Sequence, residues 1–272
     1  MRLETYRHLW GVTEPWEVAV PHFKTLGYCG IEAYLTTPEA RTKVKFLLEQ
    51  HNLKFIAQIL TFGEDQLKQF EAQFQAALEL RPSMINAHVG MDAWNDTDTL
   101  KLYSRVLEIA AEAKIPIAFE THRGRATFTP WRTVWLLEQL PQMRLVCDLS
   151  HWVCVCERLL GDQHAAIESA ARACAHIHAR VGFEQGPQVP DPRDPMWQAQ
   201  LEAHEAWWHL IWQAQQARGE ITSTLTPEFG PPNYQHTQPY TQMPVAHLSE
   251  ICEWMASRQR RNFESSVTKE FI

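Results

Sequence analysis

Residues 115–124 read IPIAFETHRG, and residues 143–152 read MRLVCDLSHW. Each is a short apolar run that stops at an acidic residue with a histidine close behind: Glu120 with His122, then Asp148 with His151. A run of that length, bounded by turn residues and apolar on both faces, has the pattern of a strand buried in a parallel sheet. The carboxyl ends of such strands are where α/β proteins place their ligating and catalytic side chains. Two copies of one design predict further strands that deliver side chains to the same place.

Working outward, similar runs lie on both sides. LETYRHLW (3–10), GIEAYL (30–35), KFIAQIL (54–60) and MINAHVG (84–90) precede the quoted stretch, and HIHARVG (176–182) and ITSTLTPEFG (221–230) follow it. Helical patterns fill the intervals. Pro15 and Pro38 each mark a helix start. Leu67, Phe70, Phe74, Ala77 and Leu78 recur at the three-and-four spacing of an amphipathic helix. Eight strands alternating with helices, in a chain with neither GxGxxG nor a Walker sequence, predict the α/β class as a single (β/α)8 TIM barrel over residues 1–258. A polar tail, 259–272, is expected after a fraying helix. The Pro- and Gly-rich VGFEQGPQVPDPRDPMW (181–197) is read as a lid-like insertion after strand seven, with Glu184, Gln185 and Arg193 as candidate substrate contacts.

Composition narrows the function classes. The 272 residues carry a net charge of -7 and six cysteines. No nucleic-acid partner is expected from that acidic balance, nor a disulfide framework from so few cysteines in so long a chain. The absence of a long apolar run predicts a soluble, cytoplasmic protein with no membrane partner. Trp197, Trp207, Trp208 and Trp212 share a helical segment, with Trp208 and Trp212 on one face; the stripe reads as helix-to-barrel packing, and any exposed part of it would serve a homo-oligomer contact. PPNYQHTQPYTQMP, after Glu228, is a second irregular segment, read as reaching a neighbouring pocket.

In a barrel, the ends of strands five to eight present Glu120, Asp148, His178 and Glu228 to one mouth. Carboxylates with one imidazole suit a single divalent cation: Mn, Zn, Co or Mg. His151 and His176 stand close enough in sequence to substitute or support. Singly, each has an ordinary reading; Asp148 ahead of Ser150 is also the pattern of a turn or helix cap. His88 and Glu32 fit hydrogen-bonded barrel groups as well as pocket walls. His8 and Trp10 fit either a polyol-stacking pair or the barrel rim.

FETHRG, CDLSHW, HIHAR and TPEFG together resemble the xylose-isomerase-like TIM-barrel superfamily of sugar isomerases and epimerases, inosose and dehydroshikimate dehydratases, and endonuclease IV. The resemblance implies that Glu120, Asp148, His178 and Glu228 bind the cation, that His151 contacts substrate oxygens, and that Arg180 is the arginine two past the metal histidine. Ketose 3-epimerases carry a further glutamate where this chain has Ala126. The pair Glu120 and His122 is similar to the dehydratase branch.

The expected activity is metal-dependent isomerisation or epimerisation of a sugar or polyol ketone through a metal-stabilised enediolate. Glu120 and Glu228 move the proton, and His151, Arg180, Trp10, His88 and Arg193 contact the small-molecule substrate. The alternative is dehydration, with His122 or His151 as acid. An endonuclease IV-like nuclease and a non-catalytic sugar-binding barrel are the remaining readings. A phosphorylated substrate would call on Arg123, Arg125, Arg180 or Arg193.

Overall fold

The computed structural model describes residues 1–268. Its strands are β1 (Arg2–His8), β2 (Gly30–Ala33), β3 (Lys54–Leu60), β4 (Met84–His88), β5 (Ile117–Glu120), β6 (Leu145–Cys147), β7 (Cys174–His178) and β8 (Thr222–Thr226). The helices between them are α1 (Trp16–Thr25), α2 (Pro38–His51), α3 (Gln66–Leu78), α4 (Asp96–Ala113), α5 (Pro130–Gln139), α6 (Ser150–Cys156), α7 (His164–Ala173) and α8 (Gln198–Ala217), and α9 (Leu248–Thr268) ends the fold. Each strand pairs in parallel with the next, and β8 closes on β1. The chain is a (β/α)8 barrel.

Local chemistry sets several boundaries. Thr37 and Thr129 cap α2 and α5 with their hydroxyls, each followed by a proline at the first helical position. The Asn95 side chain accepts from the Asp98 amide at 2.9 Å and starts α4. Glu157, at φ 52°, breaks the helical interval after His151 into α6 and α7.

Along the strands the two-residue period separates two environments. Outward residues such as Phe55, Ile85, Phe119, Leu145 and Ile177 join the large core shared with the helices. Inside the barrel, Tyr6, Ile56, Met84, Ala118 and Val146 form a second buried cluster. Two residues further along the same strands, on the same face, stand His8, Gln58, Asn86, Glu120 and Asp148. The interior is therefore apolar through its middle and polar at the carboxyl-terminal mouth, with one sequence period producing both.

The structure bears on three further expectations. Residues 259–266, expected in a polar tail, continue α9: Gln259 and Phe263 are buried, and Arg260 donates to the Leu26 carbonyl at 2.9 Å. Their polarity misled because hydrogen bonds satisfy it; residues 269–272 of that tail lie outside the described residues. Trp207, Trp208 and Trp212 are buried, so this tryptophan stripe packs α8 inward, the helix-to-barrel reading of the sequence. The segment 181–197 is pinned by Gln188, which exchanges two hydrogen bonds with the Gly230 backbone (3.1 and 2.7 Å). No described helix is long and apolar enough to cross a membrane.

Candidate active site

β5 ends at Glu120, β7 ends at His178, and Asp148 and Glu228 stand just past the ends of β6 and β8. One donor atom from each can be chosen so that all four lie within 4.8 Å of one another. All four residues are buried. Close approach of the strand ends is built in locally. A Cβ on Gly182, after β7, would stand 2.7 Å from the Ser150 carbonyl oxygen, so only glycine lets those two loops meet.

Hydrogen bonds orient the ligating groups. Thr121 accepts from the Asp148 amide and donates to the Asp148 carbonyl, both at 2.8 Å, fixing where β6 turns. Ser150 Oγ donates to Asp148 Oδ1 at 2.5 Å, and Asn86 Nδ2 donates to Glu120 Oε2 at 2.9 Å. Gln58 Nε2 donates to Glu228 Oε1 at 2.9 Å. His178 Nε2 donates to Glu32 Oε1 at 2.9 Å, which leaves Nδ1 as the free nitrogen. Nδ1 points at the acids, 2.8 Å from Glu228 Oε2 and 3.2 Å from Glu120 Oε2. It lacks the alignment of a hydrogen bond to either. A carboxylate behind the imidazole and a second nitrogen turned toward other acids is the arrangement of a metal-ligating histidine, whose Nδ1 proton a cation would replace.

Glu32 is the hub behind this layer. Its carboxylate accepts from Gln58 (3.3 Å), Asn86 (3.1 Å), His178 (2.9 Å) and Thr226 (2.6 Å), with His176 Nε2 at 3.3 Å. Burial works against ionisation, but the charge of His178 and these bonds hold the carboxyl well below the usual range. His176 thus stands one layer deeper, between Glu32 and Thr224 (2.7 Å), and is not in the four-residue group.

Electrostatics sharpen the picture. Burial disfavours the charge of Glu120 and Glu228, yet their neighbours prevail: the imidazoles of His88 and His178 keep Glu120 well below the usual range, and His178 and Arg180 bring Glu228 down to about 2. Burial raises Asp148 to about 6 despite Arg180. Burial lowers His122 to about 3 and His151 well below its ordinary value, so both rings are neutral. Arg180 Nη2 bridges Asp148 Oδ2 at 2.7 Å and Glu228 Oε2 at 2.5 Å. Four buried carboxylates, Glu32 included, thus face two cations, Arg180 and the imidazolium of His178. The donor set fits a divalent ion on two counts: the excess of acid, and Glu120 Oε1, which is buried without a hydrogen-bond partner.

A cavity of about 420 Å³ opens over this layer, near the small end of the roughly 300–1,000 Å³ usual for small-molecule sites. Glu120, Glu228, His88, His122, Gln58 and Arg180 form its polar side, and Trp10, Trp16, Tyr34, Leu35, Leu60, Phe62 and Tyr234 its apolar side. Trp10 packs edge-on against Tyr234 at 4.9 Å. Gly230 lies under it, where any Cβ would overlap the indole. His88 Nε2 is 2.7 Å from Glu120 Oε2.

The expected site residues divide accordingly. Glu120, Glu228, His122, His88, Trp10 and Arg180 reach the cavity. His151 sits behind His122, ring centroids 3.9 Å apart, with both nitrogens buried and unpartnered. Arg193 does not line the cavity; it pairs with Asp191 at 2.8 Å and Glu250 at 3.4 Å on the surface. No residue of 181–197 lines it, whereas the segment after Glu228 does so through Tyr234, in this chain's own cavity. Cys154 and Cys156 belong to no metal-competent group among the described residues. Gln58, Asn86 and Tyr234 went unread: the two amides betray themselves only by sharing a strand face with the apolar layer, and Tyr234 has no signal in its irregular segment.

This fold and this mouth define a TIM barrel with a buried acid-and-histidine centre. Residues 21–188 match the family described as xylose isomerase-like TIM barrel, and the chain belongs to it. No curated protein is a significant sequence match. Among solved structures, the probable 3-DHS dehydratase AsbF of Bacillus anthracis is 13% identical with TM-score 0.60, covering 95% of this chain and 99% of its own. A D-tagatose 3-epimerase-like protein is 12% identical (TM-score 0.61; 99% of each chain). An AP endonuclease, family 2, from Brucella melitensis is 14% identical (TM-score 0.61; 94% and 98%). At these identities the likeness is one of fold.

Proposed function

We propose that this protein is a metal-dependent enzyme that moves a proton beside a carbonyl, an isomerase or epimerase of a small hydroxyketone. The carrying observation is the pair Glu120 and Glu228, both in the four-residue donor group and both lining the cavity. Glu120, Asp148, His178 and Glu228 would hold one divalent ion, Mn, Zn, Co or Mg. When bound, the ion polarises the substrate carbonyl and stabilises the negative charge that develops there. Glu120 and Glu228 are ionised at neutral pH: one accepts the proton from the carbon beside the carbonyl and, once protonated, returns it to the neighbouring carbon in isomerisation, while in epimerisation the other, having first taken a proton from solvent, delivers it to the opposite face; Gln58, Asn86 and His88 orient them. Arg180 reaches substrate oxygens from the cavity wall while holding Asp148, and His151 backs His122 from the layer behind.

Dehydration is the second reading, favoured by one observation. Tyr234 Oη lies 3.3 Å from His122 Nε2 at the cavity wall, a pair able to pass a proton to a departing hydroxyl. The acidic mouth offers a DNA backbone little, and a non-catalytic barrel has no need of two ionised glutamates in the cavity.

Elemental analysis of the purified protein tests the proposal. About one equivalent of divalent metal is expected, lost in Glu120→Gln and Asp148→Asn with the fold retained by circular dichroism. Solvent deuterium should then enter a hydroxyketone substrate with the wild type, at a rate falling at least about a hundredfold in Glu120→Gln. A wild type that takes up no ion after saturation and dialysis would end the metal reading; substrate binding without exchange would point to the binding barrel.

A further inference from the structure

Arg125 lines the cavity and has no acid to pair with. It is only 8% exposed, in the loop after β5. Its Nη1 donates to the Thr61 carbonyl at 2.6 Å and lies 3.4 Å from the Gly90 carbonyl, so the loops after β3 and β4 both grip it. The guanidinium carbon lies 4.9 Å from the centroid of the Phe62 ring, and Phe62 is 57% exposed, at the rim. Among the described residues no carboxylate comes within ion-pair distance of it, and only Nη1 makes a hydrogen bond; Nε and Nη2 remain free. A nearly buried cation is costly unless something compensates its charge.

The other guanidinium in the wall is the contrast. Arg180 is already engaged by Asp148 and Glu228. One arginine thus serves the protein's own acids, while the other is positioned and left open on the cavity side. Both ends of a ligand are then defined: oxygen functions at the donor group of Glu120 and Glu228, an anion at Arg125, and an apolar body between, against Trp10, Leu60 and Tyr234.

We infer that Arg125 is a specificity residue and that the substrate is a compact hydroxyketone bearing a carboxylate, which Arg125 binds through Nε and Nη2. This rests on the cavity being the substrate site proposed above. A planar carboxylate matches one guanidinium edge. A phosphate dianion ordinarily gathers several donors, and the wall around Arg125 supplies Leu60 and Phe62 instead.

Calorimetric titration of the metal-loaded protein with three probes tests it: catechol, 3,4-dihydroxybenzoate and 3,4-dihydroxyphenylphosphonate. Vicinal oxygens are common to all three, and only the anion differs. Dihydroxybenzoate is expected to bind about tenfold or more tighter than catechol. Arg125→Gln abolishes that advantage and leaves catechol affinity unchanged, which also shows the variant cavity intact; Arg125→Lys retains part of it. Equal binding of catechol and dihydroxybenzoate by the wild type, or an advantage that survives in Arg125→Gln, overturns the assignment and leaves the site reading standing. An Arg125-dependent preference for the phosphonate overturns the carboxylate in favour of a phosphate. Failure of every probe to bind overturns the site reading together with the inference.

Discussion

The two halves of the barrel interior are made from the same strands and obey opposite rules. Tyr6, Ile56, Met84, Ala118 and Val146 fill the middle with hydrocarbon and one phenol. One step of the strand period further on, His8, Gln58, Asn86, Glu120 and Asp148 fill the mouth with groups that do not belong in a dry interior unless something compensates them. The lower layer holds the closed sheet together by burial; the upper layer draws on that stability to hold buried like charges close together. Function is concentrated where sequence and packing conflict.

The largest expected test of this contrast is Arg180→Gln. Its guanidinium is fully buried and touches both Asp148 and Glu228, so removing it takes away the cation the two carboxylates share and leaves only His178 near them. Breaking a buried pair in this way costs about 3–5 kcal/mol. Urea denaturation of the metal-free variant should show that loss, and a saturating divalent ion should recover much of it. An unchanged midpoint would mean that the acids share a proton instead of relying on Arg180.

Ile56→Ala probes the other layer. Ile56 is buried in the small interior cluster, and truncation of such a side chain costs about 2–5 kcal/mol. Metal content and activity per folded molecule should remain at wild-type levels, because the apolar cluster that holds Ile56 contains no residue of the donor group. If the ion affinity dropped in parallel, the two layers would be coupled and the division drawn here would fail.

The legible and illegible parts of the sequence follow the same division. Strands such as KFIAQIL were readable because burial on both faces leaves a run that is apolar but for Lys54 at its start and Gln58, and β3 has those bounds. Glu120, Asp148 and His178 were readable because each interrupts or ends such a run. Glu32 was readable as a hydrogen-bonded barrel group but not as the partner of His178, and Asn86 not at all: each is a single polar residue inside a strand, and only closure of the barrel brings Glu32 to His178. Arg193 was misplaced and Tyr234 missed for one reason. Strand period fixes which way a side chain points, whereas nothing local says which loop folds over the mouth. The α9 continuation was hidden because its polar residues are paired with distant partners, Arg258 with Glu205 among them.

The smallest effect expected is a pH dependence confined to the mouth. His204 in α8 donates from Nδ1 to the Gln200 carbonyl at 2.7 Å and accepts at Nε2 from the Gly182 amide at 3.2 Å, tying the loop after β7 to the helix. Burial pushes its pKa from 6.5 down to about 4, so the folded protein keeps the ring neutral where the unfolded chain would protonate it. The associated stability is present in full above about pH 6.5 and is lost progressively as the pH falls toward 4. Between pH 7.5 and 5 the loss is about 2 kcal/mol for this one group. The apolar layer has no counterpart, since its only ionisable group, Tyr6, is raised by burial to about 12. Urea midpoints of wild type and His204→Gln at both pH values isolate the effect, because Asp148 and every other titrating group is common to the two proteins. The wild type should lose about 2 kcal/mol more than the variant on acidification; equal losses would show that His204 binds its proton equally well in the folded and unfolded chain and that burial does not depress it.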